Sequence, residues 1–258
     1  MKILSGMICA PRRSPKSLSA AYASMVSNGW NPVLKIEPGT ILPTIEMGMD
    51  VIRNTERQGN FWNWLNLAQH LLNKAEVRRV NGEECDGILI CEDDALHTVG
   101  ITEFVESKLW PDERCGALSL YCPNVTYYRR PKPCLYRSDR PNHVGALSLL
   151  FRVECLREIL GDWDSIKNWG GSHDQKRRSL PPEEIKAVDA WIGETMLKHG
   201  WHIWMCSRSL VQHYHPPDAK DNSTLNHGAA TRARTAYQWI GPHADPFKVY
   251  GRRRRSSS

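Results

Sequence analysis

A short apolar run that stops on charge constrains this chain most: Gly87 to Ile90 leads directly into Cys91-Glu92-Asp93-Asp94. Bounded by the polar loop Asn81 to Asp86, the run has the length of a strand, and its unbroken apolar character reads as burial on both faces. Such a strand needs helices on each side of its sheet. The acids then emerge at the strand's carboxyl end, which is where open α/β sheets bind ligands.

The rest of the chain supplies the matching elements. Lys2 to Cys9 reads as a buried strand, Ser14 to Val26 as a helix with Leu18, Ala21, Tyr22 and Met25 on one face, and Val33 to Ile36 as a second strand before the turn Glu37-Pro38-Gly39. Asn60 to Val77 carries one apolar stripe from Phe61 to Ala75 and is predicted to pack on the sheet. After the acids, Ile101 to Leu109 reads as helix, Gly116 to Tyr121 and Gly145 to Phe151 as strands, and Val153 to Leu160 and Pro182 to His199 as helices. His202 to Cys206 and Leu210 to Val211 follow as short closing strands, with a last helix around Thr231 to Trp239. Cys122 to His143, rich in proline, tyrosine and arginine, reads as an irregular functional loop. This alternation predicts a single α/β domain over residues 1–240, a mixed, mainly parallel sheet flanked by helices, followed by a basic tail over 241–258.

Composition narrows the function classes. Hydrophobic residues at 41% and charged residues at 24% are those of a globular protein, which excludes general disorder. No run approaches a membrane span, and the positive charges Arg12 and Arg13 follow the apolar N-terminus, the reverse of a secretory signal, so a cytoplasmic protein is expected. The eight cysteines are scattered without a CxxC pair and read as reduced, mostly core residues. The net charge of +6 falls near +2 without Arg252 to Arg255, so charge alone is weak support for nucleic-acid binding.

Adjacent half-buried acids repel one another and lose hydration, penalties that a divalent cation held by oxygen ligands removes. An acidic turn, or a helix cap ahead of Ala95-Leu96, is the plainer reading. The segment Ile88 to Ala95 resembles the Glu-Asp-Asp variant of the metal-binding Asp-x-Asp motif in glycosyltransferases of the GT-A fold. Asn54, Gly59 and Trp62-Asn63-Trp64 are similar to the family segment that lines the nucleotide pocket. Gly145 to Arg152 resembles the strand after the acceptor loop. Asp189-Ala190-Trp191-Ile192-Gly193 and Ser209-Leu210-Val211-Gln212-His213 resemble the final helix and the closing strand that ends in histidine.

The resemblance implies a GT-A-like, Rossmann-like domain that moves a sugar from a nucleotide-sugar donor, a UDP-sugar by preference, with Mn²⁺ or Mg²⁺ as cofactor. It implies metal contact by Asp94 and then Asp93, with Glu92 toward sugar or ribose. His213, clustered in sequence with His215 and His227, reads as a metal ligand or as an ordinary histidine. Asp189 is the candidate general base, with Glu194 in reserve. Arg12, Arg13, Arg53, Asn54 and Asn63 are placed at the donor. Tyr128, Arg130, Tyr136 and Arg137 interleave rings and cations in a way that suits an acceptor, whether DNA, a glycan or a protein. A glycosyltransferase acting on a modified DNA base, as some phage enzymes do, would use both the acids and this basic loop. The rival readings are a nucleic-acid-binding protein without sugar turnover and a metal-dependent nucleotidyltransferase.

Overall fold

The structure is a computed structural model that describes residues 2–11, 16–42, 49–124, 128–138, 143, 145–169, 188–214 and 236–251. Its centre is β1 (Ile3–Cys9), buried along nearly all its length. Parallel neighbours flank it: β2 (Val33–Ile36) on one side and β4 (Gly87–Glu92) on the other. With β3 (Val51–Arg53), β6 (Cys115–Ser119), β7 (Leu135–Ser138), β8 (Ser148–Phe151) and β9 (His202–Cys206), they form an eight-stranded sheet of order β3-β2-β1-β4-β8-β6-β9-β7. The pairings set β7 and β8 antiparallel to the other strands, so the sheet is mixed and mainly parallel. Two further strands, β5 (Ala95–His97) and β10 (Val211–His213), form a separate antiparallel ladder.

Strand alternation divides the core into two layers. Leu4, Ile8, Ile88, Ile90, Leu149 and Phe151 face one side, where α2 (Gly59–Val80), α4 (Val153–Gly161) and α6 (Val188–Lys198) pack. Met7, Cys9, Leu89, Cys91 and Leu150 face the other, under α1 (Lys16–Val26), α3 (Ile101–Lys108) and α7 (Pro246–Tyr250). A short α5 (Trp163–Lys167) follows α4 and is capped by the Asp162 carboxylate. Trp191 of α6 meets Phe61 and Trp64 of α2 edge-on at 5.7 and 6.1 Å, which locks these two helices together. Gly6 lets α2 approach β1, because a Cβ there would lie 2.8 Å from Leu71 Cδ1.

Several expectations shift. The stretch read as irregular, Cys122 to His143, contains the edge strand β7, paired antiparallel to β9. The acidic turn leads into strand β5, not into a capped helix. Ala236 forms an isolated bridge with Pro123, so the described end of the helix expected over 231–239 is not helical. Of the expected tail, residues 241–251 include α7, whose Phe247 ring meets Phe104 of α3 edge-on at 5.7 Å and whose Tyr250 ring lies tilted against it at 5.0 Å; 252–258 lie outside the described residues. None of the eight cysteines is in a disulfide. No described helix is long and apolar enough to cross a membrane.

Candidate active site at the acidic strand end

The sheet order reverses around β1, with β2 and β3 on one side and β4 on the other, and such a switch point opens a crevice at the strands' carboxyl ends. Cys9 closes β1 and Glu92 closes β4 in parallel register, Ile8 lying opposite Glu92. Beyond the strand the acids diverge. The Ala10 N–H donates to Asp93 Oδ2 at 3.0 Å, tying the acidic turn to the end of β1. Asp93 and Asp94 are both buried, at 2% and 4% exposure.

Asp94 meets the late part of the chain through the β5–β10 ladder, whose register pairs Ala95 with His213. The Tyr214 N–H donates to the Asp94 carbonyl at 2.7 Å, and His213 Nδ1 stands 3.3 Å from Asp94 Oδ2. Glu92 completes the group: one ligand atom from each of Glu92, Asp94 and His213 lies within 4.8 Å of the others. Tyr121 closes one wall, its ring edge-on to His213 at 5.3 Å. The field at this strand end is strongly negative. Burial first, and then the carboxylates of Glu92, Asp93 and Asp94, push the Cys91 thiol well above its ordinary range. Two carboxylates and an imidazole are a donor set that suits Mn²⁺, and the oxygens suit Mg²⁺.

Beside the acids lies a cleft of about 210 Å³, with Ala10, Glu37, Arg57, Asn63, Glu92 and Asp93 in its walls. Asn54 Nδ2 donates to Asn63 Oδ1 at 3.0 Å, and Asn63 is buried in the wall. Arg53 ends β3 with its side chain exposed and is not part of the wall. Arg57 and Glu37, which the sequence reading passed over, line it instead; the buried Glu37 carboxylate accepts the Gln58 N–H at 3.0 and 3.2 Å and so fixes the loop that carries Arg57. Arg12, Arg13, Tyr127, His215 and His227 lie outside the described residues. A larger groove of about 1030 Å³ between α3 and α7 shares no residue with this cleft or with the acidic group.

Asp189 sits in the first turn of α6, where Oδ2 accepts the Gly145 N–H at 3.1 Å and Oδ1 accepts the Ala190 N–H at 2.9 Å. Burial raises its carboxyl above the ordinary Asp range, and the backbone N–H bonds oppose that rise. Gly145, at φ +100°, packs directly on Tyr121: a Cβ there would stand 2.9 Å from the ring. Asp189, Gly145, Tyr121 and His213 therefore form a continuous line of contacts from α6 to the acidic group. Glu194 lies on the exposed face of α6.

Beside edge strand β7, Arg130 covers the Tyr136 ring at 4.0 Å and Arg129 reaches over Tyr237 at 6.0 Å. Tyr128 is buried beneath them, its carbonyl accepting the Tyr136 hydroxyl at 2.8 Å. Arg137, one residue beyond Tyr136 on β7, points to the opposite face of the sheet, opposite Trp204.

No protein-family profile matches the chain, and no curated protein matches it in sequence. Among solved structures, S. aureus TarS is similar at a TM-score of 0.52 and 11% identity, over 85% of this chain and 38% of that one. A197 from STIV aligns at a TM-score of 0.46 and 12% identity, over 85% and 87% of the two chains. The mannosyltransferase PcManGT from Pyrobaculum calidifontis, solved in complex with GDP-Man and Mn²⁺, aligns at 0.42 and 14% identity, over 85% and 56%. The chain thus spans well under half of TarS and about half of the mannosyltransferase. At such identities the likeness is one of fold alone, and that fold is the GT-A-like α/β architecture expected from the sequence.

Proposed function

We propose that the protein is a metal-dependent glycosyltransferase that moves a sugar from a nucleotide-sugar donor, a UDP-sugar by preference, to an acceptor hydroxyl. The observation that carries this reading is the convergence of Glu92, Asp94 and His213 at the carboxyl edge of the sheet, beside a cleft walled by Asn63 and Arg57. A nucleic-acid-binding protein without turnover gives no reason for three metal-type donors to meet there.

Glu92, Asp94 and His213 would hold the Mn²⁺ or Mg²⁺. When bound, the ion offsets the charge that develops on the leaving diphosphate. The protein's own groups supply the rest. Asp93 holds the end of β1 against the acidic turn through Ala10, which fixes the floor of the donor cleft. Asn63, oriented by Asn54, and Arg57 offer polar contacts to the nucleoside. The raised carboxyl of Asp189 is the proton acceptor for the attacking hydroxyl in an inverting transfer, since a base is most effective when its pKa approaches the working pH. The stacked Arg130 and Tyr136 suit an anionic or ring-bearing acceptor, a DNA base among them.

Calorimetric titration with UDP and with GDP, with and without Mn²⁺, tests the reading. Wild-type protein is expected to bind one nucleoside diphosphate only with the ion, and Asp94→Ala to lose that binding while keeping its fold. A folded wild-type sample that binds neither nucleotide, or an Asp94→Ala variant with full turnover, refutes it.

A further inference from the structure

His213 belongs to the β5–β10 ladder and Asp94 leads directly into it, its carbonyl accepting the Tyr214 N–H, whereas Glu92 ends a strand of the main sheet. The three donors stay together only if the ladder is held in register against β4 and β8. His97, the last residue of β5, makes that connection. Its Nε2 is 3.0 Å from Ser148 Oγ on β8, and its Nδ1 is 3.4 Å from Ser24 Oγ on α1. Its backbone N–H donates to the same Ser24 oxygen at 3.1 Å. Ser148 lies opposite Cys91 in the β4–β8 register, and the preceding residue, Leu147, accepts the Glu92 N–H at 3.0 Å. One imidazole therefore ties the strand that follows Asp94 to the segment that holds Glu92.

Proton counting fixes the tautomer. Ser24 has one hydroxyl proton, and its best acceptor is the Ala21 carbonyl at 2.8 Å. Toward His97 the Ser24 oxygen must then accept, which places a proton on Nδ1. Nε2 is left with its lone pair and accepts from the Ser148 hydroxyl. The ring is buried at 1% exposure beside Trp30, whose ring meets it edge-on at 5.6 Å. Burial lowers its pKa to about 4, so it is neutral at physiological pH.

We infer that His97 is a positioning residue: held as the neutral Nδ1–H tautomer between Ser24 and Ser148, it sets the divalent-ion affinity of Glu92, Asp94 and His213. The inference rests on the metal reading of that group. Groups that hydrogen-bond metal ligands directly typically change ion affinity by roughly 10- to 100-fold when removed, and His97, which acts through the strands that carry the ligands, is placed at the lower end.

The test measures Mn²⁺ affinity, by the free-ion electron-spin signal, for wild type, Ser148→Ala, His97→Asn and, as a control for general loss of stability, Leu71→Ala in the opposite core layer. Ser148→Ala and His97→Asn are expected to weaken Mn²⁺ binding about tenfold or more, and Leu71→Ala to leave it unchanged at a comparable loss of melting temperature. Nitrogen-15 NMR of the ion-free protein is expected to show His97 protonated at Nδ1 and bare at Nε2. Ser148→Ala binding Mn²⁺ as tightly as wild type, or a proton found on Nε2, overturns the inference. Ser148→Ala settles the matter even where His97→Asn does not fold. Wild-type protein that binds no Mn²⁺ refutes the metal reading itself, and His97 then has no ion to position.

Discussion

Lowering the pH from 7 should destabilise the fold through two histidines that are buried neutral. His97 and His143 are each 1% exposed, and burial lowers both from the ordinary 6.5 to about 4. Between those values the unfolded chain binds a proton that the native state refuses, so stability falls with falling pH at about 1.4 kcal/mol per unit for each group. From pH 7 to pH 5 each histidine then removes about 2 kcal/mol and the pair about 4, a large part of a typical total of about 5–15 kcal/mol. Asp162 titrates outside this window. The Lys198 ammonium, with His199 and the Ser165 N–H, holds it at about 2, so its contribution is lost only as the pH falls from the ordinary carboxylate value toward 2. The assay is urea unfolding of wild type and His143→Asn at pH 7, 6 and 5. His143→Asn, less stable at pH 7, should lose about 2 kcal/mol less than wild type on going to pH 5. Equal losses in the two proteins would show that His143 is not held neutral by burial and would refute the reasoning.

Other predictions concern the site and the core. Asp189→Asn should lower kcat by about 10²- to 10⁴-fold with donor KM little changed, and the acid limb of the wild-type kcat/KM profile should lie above the ordinary Asp value of 3.8, the direction in which burial moves this carboxyl; a profile flat through that range removes Asp189 as the base. Glu92→Gln should weaken Mn²⁺ binding, whereas Asp93→Asn should keep the ion and lose stability through its bond to Ala10; the opposite order in a Mn²⁺ titration would exchange the two roles. Gly116→Ala would set a Cβ 2.5 Å from Cys155 Sγ and 2.9 Å from Met196 Cε, so denaturant unfolding should show a loss of about 1–3 kcal/mol; unchanged stability would mean that α4 and α6 yield freely.

The strands and helices that were legible in the sequence are those whose burial writes a period. β1, β2 and β4 are apolar runs, and α2 shows an apolar stripe because only one of its faces meets the sheet. The ladder that completes the candidate site carries no such signature. β5 and β10 are three residues each, too short to show a period, and they pair residues more than a hundred positions apart. The same distance hides His97, whose partners Ser24 and Ser148 are 73 and 51 residues away. Nothing local distinguishes it from the histidines elsewhere in the chain. Glu37 was hidden differently: it stands in a turn signal, and only the fold shows that its carboxylate points inward to hold Gln58.

Strand parity accounts for the placement of Glu92, and the turn that follows for that of Asp94. Leu89 and Cys91 face the α1 and α3 layer, while Ile88 and Ile90 face the α2 layer. The next residue in that second phase is Glu92, on the side of the sheet where Asn63 of α2 walls the cleft. Such alternation is a property of extended backbone, and the reversal into β5 begins only at Asp93 and Asp94. The turn, not the strand period, aims the last two acids: Asp94 converges with Glu92 and His213, and Asp93 accepts from Ala10 just beyond the end of β1. The family resemblance ranks Asp93 beside Asp94 by order in the motif, whereas the geometry sets Glu92 beside Asp94 and His213. An acidic triplet that closes a parallel strand thus does two jobs, with the first and last acids meeting His213 and the middle acid fastening the strand end that makes the cleft.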